Sequence, residues 1–367
     1  MYKIAFPVMG DYAVPIKFFL SNVLEAKIII PPKITSKTAE IGNKYSPNFV
    51  CTPFKFTLGT FIECIDKGAD LLIQAGGGCR YGYYAELQEE ILKDLGYNVK
   101  IYNLVTMGIT DMKRIIKIFK EIDPKFNKWK ALYYFLLTKE MIKYMDKIDF
   151  YIRENIGFEK KKGSFEKLKN KMLKSFSKCT NYFNIRKVYI KYLKQFKKLE
   201  TIKNDNILKV GVIGELYTVM EPFANYDIEK ELAKKGVSVK RFTNIHYLLF
   251  EKSNKIKKYL KNTSKYIKYK MGADASDNIS RAKYLCENGY DGIIHIKSSF
   301  CTPEIGAMSI LNKVCKDYGV PIIYFTFDMA TSNTGMITRL EAFYDMIEMR
   351  KKDDKSLFRS WYWFYFY

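Results

Sequence analysis

Three of the seven cysteines in this 367-residue chain stand where a loop hands over to a helical pattern. Cys79 ends AGGGC, which starts at Ala75; Cys51 opens CTPFK; Cys301 opens CTPEIG. The positive end of a helix stabilises a thiolate. If loops at strand-to-helix junctions bring the three together, several kinds of chemistry are open. They could hold an iron–sulfur cluster, hold zinc with His295 as a fourth ligand, supply one nucleophile, or be inert. Gly76, Gly77 and Gly78 favour the cluster, because glycines let the backbone approach and aim N–H groups at inorganic sulfide. The spacing is not the compact C-x2-C run of a ferredoxin, so spacing does not choose among these. Cys64, Cys286 and Cys315 fall within amphipathic helical patterns, where cysteine behaves as a small buried hydrophobe. Cys179 lies in a basic helical stretch.

Other chemistries find less support. No Walker A sequence is present, and GVIGE at Gly211 lacks the third glycine of a dinucleotide fingerprint. Two histidines, neither beside a recognisable nucleophile elbow, argue against a hydrolase triad. Around the cysteines, Arg80 could face a cluster or an anionic substrate, Lys55 could steady cluster charge, and Glu304 is expected to cap the helix after Cys301.

The elements that must position these residues read as two α/β halves. KIAFPVMG, KIIIPP, DLLIQAGGG and VKIYNLV are short apolar runs ending in Gly or Pro, as buried parallel strands do. LKVGVIGE, VSVKRFT, DGIIHIK and VPIIYFTFD repeat the pattern later. An internal echo aligns the stretches around Cys79 and Cys301: each runs strand, loop, cysteine, helix, glycine, strand. Gly96 follows Cys79 by 17 residues and Gly319 follows Cys301 by 18. The reading is α/β, with two Rossmann-like parallel-sheet lobes as an internal repeat and a helical insertion between them. Boundaries fall at 1–123, 124–204 and 205–350, with an aromatic tail at 351–367. Ligands of open parallel sheets bind at the carboxyl ends of strands, where these cysteines lie.

Net charge is +23, from 62 Lys+Arg against 39 Asp+Glu. Residues 125–204 hold 22 Lys+Arg and 7 Asp+Glu, hence +15 of that total. Lysine greatly exceeds arginine, and Ile, Asn, Tyr and Phe are abundant, which points to compositional background more than to nucleic acid. No nucleic-acid partner is expected, although a basic-insertion binder stands as a third function class. The insertion itself is expected to be solvated. No apolar run is long enough to span a bilayer, and the N-terminus lacks a signal-peptide pattern, so a cytoplasmic, reducing compartment is expected. The last ten residues contain eight aromatics and are assigned no chemistry.

CTPFK, GGGCRYGYYAELQEEILKDLGY, GE-x9-NYDIEKEL, DGIIHIKSSFCTPEIGAMSIL and FDMATSNTGMITRLEAFYDMI occur in the order of the 2-hydroxyacyl-CoA dehydratase superfamily. The chain resembles its activase-related branch (CoA protein activase, or dehydratase-component-like) over most of residues 1–120 and 207–350. The resemblance implies a 4Fe-4S cluster on Cys51, Cys79 and Cys301, between Rossmann-like lobes. It also implies electrons from an ATP-dependent iron–sulfur activator protein and an acyl-CoA substrate. In true dehydratases one electron delivered to a bound thioester expels the hydroxyl; other relatives join two cubanes through a sulfide. Three cysteines suffice for one cubane, so a double-cubane would require further ligands, a homodimer or a related second subunit. The alternative is a non-catalytic cluster- or metal-binding scaffold, an accessory to the activase. Two departures stand out: GGGCRYG lacks a proline before its cysteine, and Met329 occupies a position where an acid is common. Thr338, Arg339 and Glu341 match the terminal helix signature, with an internal ion pair expected there.

Overall fold

The computed structural model describes residues 1–106, 108–203 and 206–352; the aromatic run expected at the C-terminus lies almost wholly outside them. The first half runs β1 (Lys3–Ala5), α1 (Ala13–Val23), β2 (Lys27–Ile28), α2 (Ser36–Tyr45), α3 (Thr52–Asp66), β3 (Leu71–Gln74), α4 (Tyr84–Asp94), β4 (Lys100–Asn103), α5 (Met112–Ile122). Three helices follow, α6 (Lys128–Asn155), α7 (Ser164–Phe176) and α8 (Tyr182–Lys197). The second half runs β5 (Leu208–Gly214), α9 (Leu216–Met220), α10 (Ile228–Lys234), β6 (Val237–Arg241), α11 (Lys252–Asn262), α12 (Ala275–Glu287). It ends with β7 (Gly292–Ser298), α13 (Thr302–Tyr318), β8 (Ile322–Phe327) and α14 (Asn333–Lys352).

Each half builds a four-stranded, all-parallel sheet, and the two strand orders correspond: β2-β1-β3-β4 and β6-β5-β7-β8. Helices cover both faces, so successive strand residues enter opposite cores. Leu71 and Ile73 pack with Phe119 on one side of the first sheet, while Leu72 packs with Phe54 and Leu92 on the other. In the second sheet Ile294 and Ile296 face Phe343, whereas Ile293 faces Leu311. The continuous apolar runs of the sequence are therefore strands buried on both faces, and the two Rossmann-like lobes expected from the internal echo are present.

The helices between the lobes are not merely solvated. Leu137, Met141, Ile148, Phe165, Phe176 and Phe196 form a core of their own, against which Phe18 of α1 packs. The high lysine density conceals this apolar stripe in the sequence, because lysines crowd the opposite face of each helix. The segment also ties into both lobes. Lys169 of α7 pairs with Asp11 at 2.6 Å and with Asp149 at 3.1 Å. Asp146 of α6 accepts from the Tyr12 hydroxyl and from the His246 backbone N–H. The terminal helix is tied to its lobe by an ion pair, as expected: Glu341 pairs with Lys235 at 3.3 Å, and Arg339 adds a hydrogen bond to the Tyr324 carbonyl at 2.8 Å.

Candidate functional site

Cys79 follows β3 and Cys301 follows β7, the corresponding third strands of the two sheets. Cys301 is the N-cap of α13 and Cys79 the N-cap of the short 3-10 turn Arg80–Tyr83 that leads into α4. Cys51 is also an N-cap, of α3, but it comes off a turn after α2 and not off a strand. The sequence NFV before it is too short, and too close to Pro47, to make the strand expected there. Pro53 and Pro303 occupy the first turns of α3 and α13, where a missing N–H costs nothing and the fixed φ starts a helix.

The first lobe's scaffold is tied tightly together. Gln88 of α4 donates to the Phe54 carbonyl at 3.0 Å and to Thr57 Oγ1 at 2.7 Å, clamping α4 to α3. Asn103, at the end of β4, donates to the Gly82 carbonyl at 2.9 Å and fixes the turn after Cys79. Across the lobes, the Thr52 N–H donates to Ser298 Oγ at 2.8 Å, and Arg80 donates to the Phe300 carbonyl.

The outcome is that Cys51, Cys79 and Cys301 line a single cavity of about 460 Å³, together with Arg80, Tyr81, Tyr84, Glu215 and Asp274. Gly76, Gly77 and Gly78 are not among the lining residues described. A Cβ at Gly76 would stand 2.4 Å from the Val105 carbonyl oxygen, so that glycine serves the packing of its own loop. His295 is fully buried, 2.7 Å from Glu304 Oε2. Glu304 does not cap its helix with its side chain: it is buried and also accepts from Asn278 Nδ2. Lys55 donates to Asn43 Oδ1 at 2.7 Å, away from the cavity lining.

Burial dominates the electrostatics. It pushes the Cys51 thiol up to about 12, with Glu215 adding to the rise and the Tyr84 hydroxyl, bonded to the sulfur, opposing it. Burial also raises Cys79, against the pull of the Tyr81 backbone N–H. Cys301 rises for the same first reason, with Glu215 and Glu304 adding and the Glu304 backbone N–H opposing. Left to themselves these thiols are protonated at neutral pH; a bound metal would displace the protons, and the hydrogen bonds to the sulfurs would then favour the thiolates. Glu215 is pushed up to about 7 by burial, against hydrogen bonds from Thr218 and Tyr217. Among the described residues no three His, Cys, Asp or Glu side chains converge closely enough for one ion. A cubane binds each cysteine through a different iron, so its sulfurs stand farther apart than ligands on a single ion. Three thiols on one cavity are compatible with such a group, whereas no single-ion site is found among the described residues.

Glu215 and Asp274 escaped the sequence reading. Glu215 did leave a signal, an acid directly after the glycine that ends β5. Asp274, at the N-terminus of α12 and salt-bridged to Lys252 at 2.5 Å, left none.

Residues 245–347 match the family described as 2-hydroxyglutaryl-CoA dehydratase, D-component. The matched segment includes Cys301 and runs from the turn before α11 into α14, within the second lobe. The resemblance to the 2-hydroxyacyl-CoA dehydratase superfamily is thereby shown, and the chain is dehydratase-component-like over that segment. No curated protein matches the chain.

Proposed function

We propose that this chain is an iron–sulfur redox protein in which Cys51, Cys79 and Cys301 hold one 4Fe-4S cluster between the lobes, with electrons arriving from an ATP-dependent activator. The observation that carries the reading is the convergence of three cysteines, far apart in sequence and drawn from both lobes, on one cavity. Such a cluster supplies single-electron transfer and an open coordination position. The chain's own residues prepare the place. The starts of α3 and α13 direct partial positive charge toward Cys51 and Cys301. The Tyr81 and Glu304 N–H groups favour the thiolates of Cys79 and Cys301. Glu215, titrating near neutrality on the cavity wall, can hold or release a proton there. An acyl-CoA thioester is the proposed substrate class, and a cytoplasmic location goes with this reading. No helix among the described residues is long and apolar enough to cross a membrane.

The test is iron and acid-labile sulfide per chain in protein purified without oxygen. Cys79→Ala and Cys301→Ala should each lose the iron, while Cys64→Ala, altered inside the α3 core, should keep it. Full iron retention in the first two variants refutes the assignment.

A further inference from the structure

Behind Tyr81 lies a second chamber, of about 290 Å³, and Tyr81 lines both it and the cysteine cavity. Its walls come from all three parts of the chain: Phe6 and Ile73 from the first lobe, Phe135 and Ile142 from α6, and Leu249 from the turn before α11. Some of the polar groups on the wall are already occupied. The Tyr12 hydroxyl donates to Asp146 and the Thr138 hydroxyl to the Tyr134 carbonyl. The only charged residue in the lining described is Lys139, whose ammonium lies 5.0 Å from the centre of the Phe250 ring.

Two groups break the pattern. Gln74 and Tyr217 are each 1% exposed. Neither the two amide atoms of Gln74 nor the Tyr217 hydroxyl has a hydrogen-bond partner. An unmatched buried polar group is costly, and an apolar side chain of similar shape would remove the cost. Gln74 closes β3, five residues before Cys79, at the strand end where ligands of such sheets bind. A residue that weakens the fold while facing an apolar chamber at that end has the character of a binding residue.

We infer that this chamber binds a small uncharged molecule with an apolar body and one amide or carbonyl group, recognised by Gln74 and Tyr217. The carboxamide can donate to and accept from such a group, the phenol can donate to it, and small side-chain rotations bring both to the guest. A carboxylate is disfavoured, because Lys139, the one charged residue in the lining described, is placed over the Phe250 ring, and an anion left unpaired in an apolar chamber is costly. The inference does not depend on a cluster, since none of the three cysteines lines this chamber.

The test uses hexanamide and hexanoate as probes, followed by calorimetry on the full chain and on Cys79→Ala. Hexanamide should bind both proteins saturably, and hexanoate about tenfold more weakly or less. Gln74→Leu should raise the melting temperature while weakening hexanamide about tenfold. Ile142→Trp, which fills the chamber, should abolish binding. Three results overturn the proposal. One is no hexanamide binding to the unaltered chain. Another is hexanoate binding as tightly as hexanamide. The third is a Gln74→Leu variant that melts lower and binds as before, which would make Gln74 a structural residue bridged by water.

Discussion

Cys51 and Tyr84 show how a single contact sets the reactivity of a thiol. The Tyr84 hydroxyl bonds to the sulfur and opposes the rise that burial imposes. Tyr84→Phe should therefore raise Cys51 further and slow its alkylation in metal-free protein, read by mass spectrometry of the modified peptide. An unchanged rate would show that the hydroxyl does not stabilise the thiolate. Glu304 tests the opposite situation, a polar group whose role is internal. Glu304→Ala strands the buried His295 ring, at about 1–3 kcal/mol for the unmatched group, while Asn278 Nδ2 keeps the Gly214 carbonyl; urea unfolding measures the loss. The cysteines were legible in sequence because their type is rare and each precedes a helix. The side chains that tune them were not: Tyr84 is one of 29 tyrosines, and nothing in its neighbourhood announces a bond to a sulfur 33 positions earlier.

At the scale of elements, Cys51 is delivered by the α2–α3 pair, which sequence periodicity reads only in part. The helices touch backbone to backbone. A Cβ at Gly42 would lie 1.9 Å from the Lys55 carbonyl oxygen, and one at Gly59 would lie 2.1 Å from that of Thr38. Gly59→Ala must push the helices apart, at roughly 1–3 kcal/mol, and shift the start of α3 with Cys51 on it. The expected result is a lower melting temperature together with reduced iron content; iron lost without destabilisation would point to another cause. The strands of both sheets could be anticipated because doubly buried strands are continuous apolar runs. The turn carrying Cys51 could not, since it depends on how closely two helices pack, which glycine spacing alone does not reveal.

Across the whole molecule, a partly buried charge network joins the middle helices to both lobes. Asp149 sits between Lys169 and Arg153, with Arg241 of β6 acting on it. Burial pushes its carboxyl up, but these cations outweigh it and hold the group below the usual value of 3.8. A carboxyl depressed by folding stabilises the fold above its unfolded pKa, and that contribution fades as pH falls through the folded value. Asp149→Asn should thus cost about 3 kcal/mol at neutral pH, and the gap from the parent should close below roughly pH 3.8. Chemical denaturation across that range checks both halves of the claim. The sequence displayed the excess lysine of this segment but not the pairing, because ion-pair geometry depends on tertiary neighbours. The cavity lined by the three cysteines also imposes an order in time. Its first two thiols leave the ribosome some 222 residues ahead of the third, as the positions of Cys79 and Cys301 dictate. At about 5–20 residues per second that is a wait of roughly 10–45 s. During that interval the first two thiols are open to oxidation, so, for the cluster proposed above, assembly in oxygen-free cells should yield far more intact centres than assembly in aerated ones.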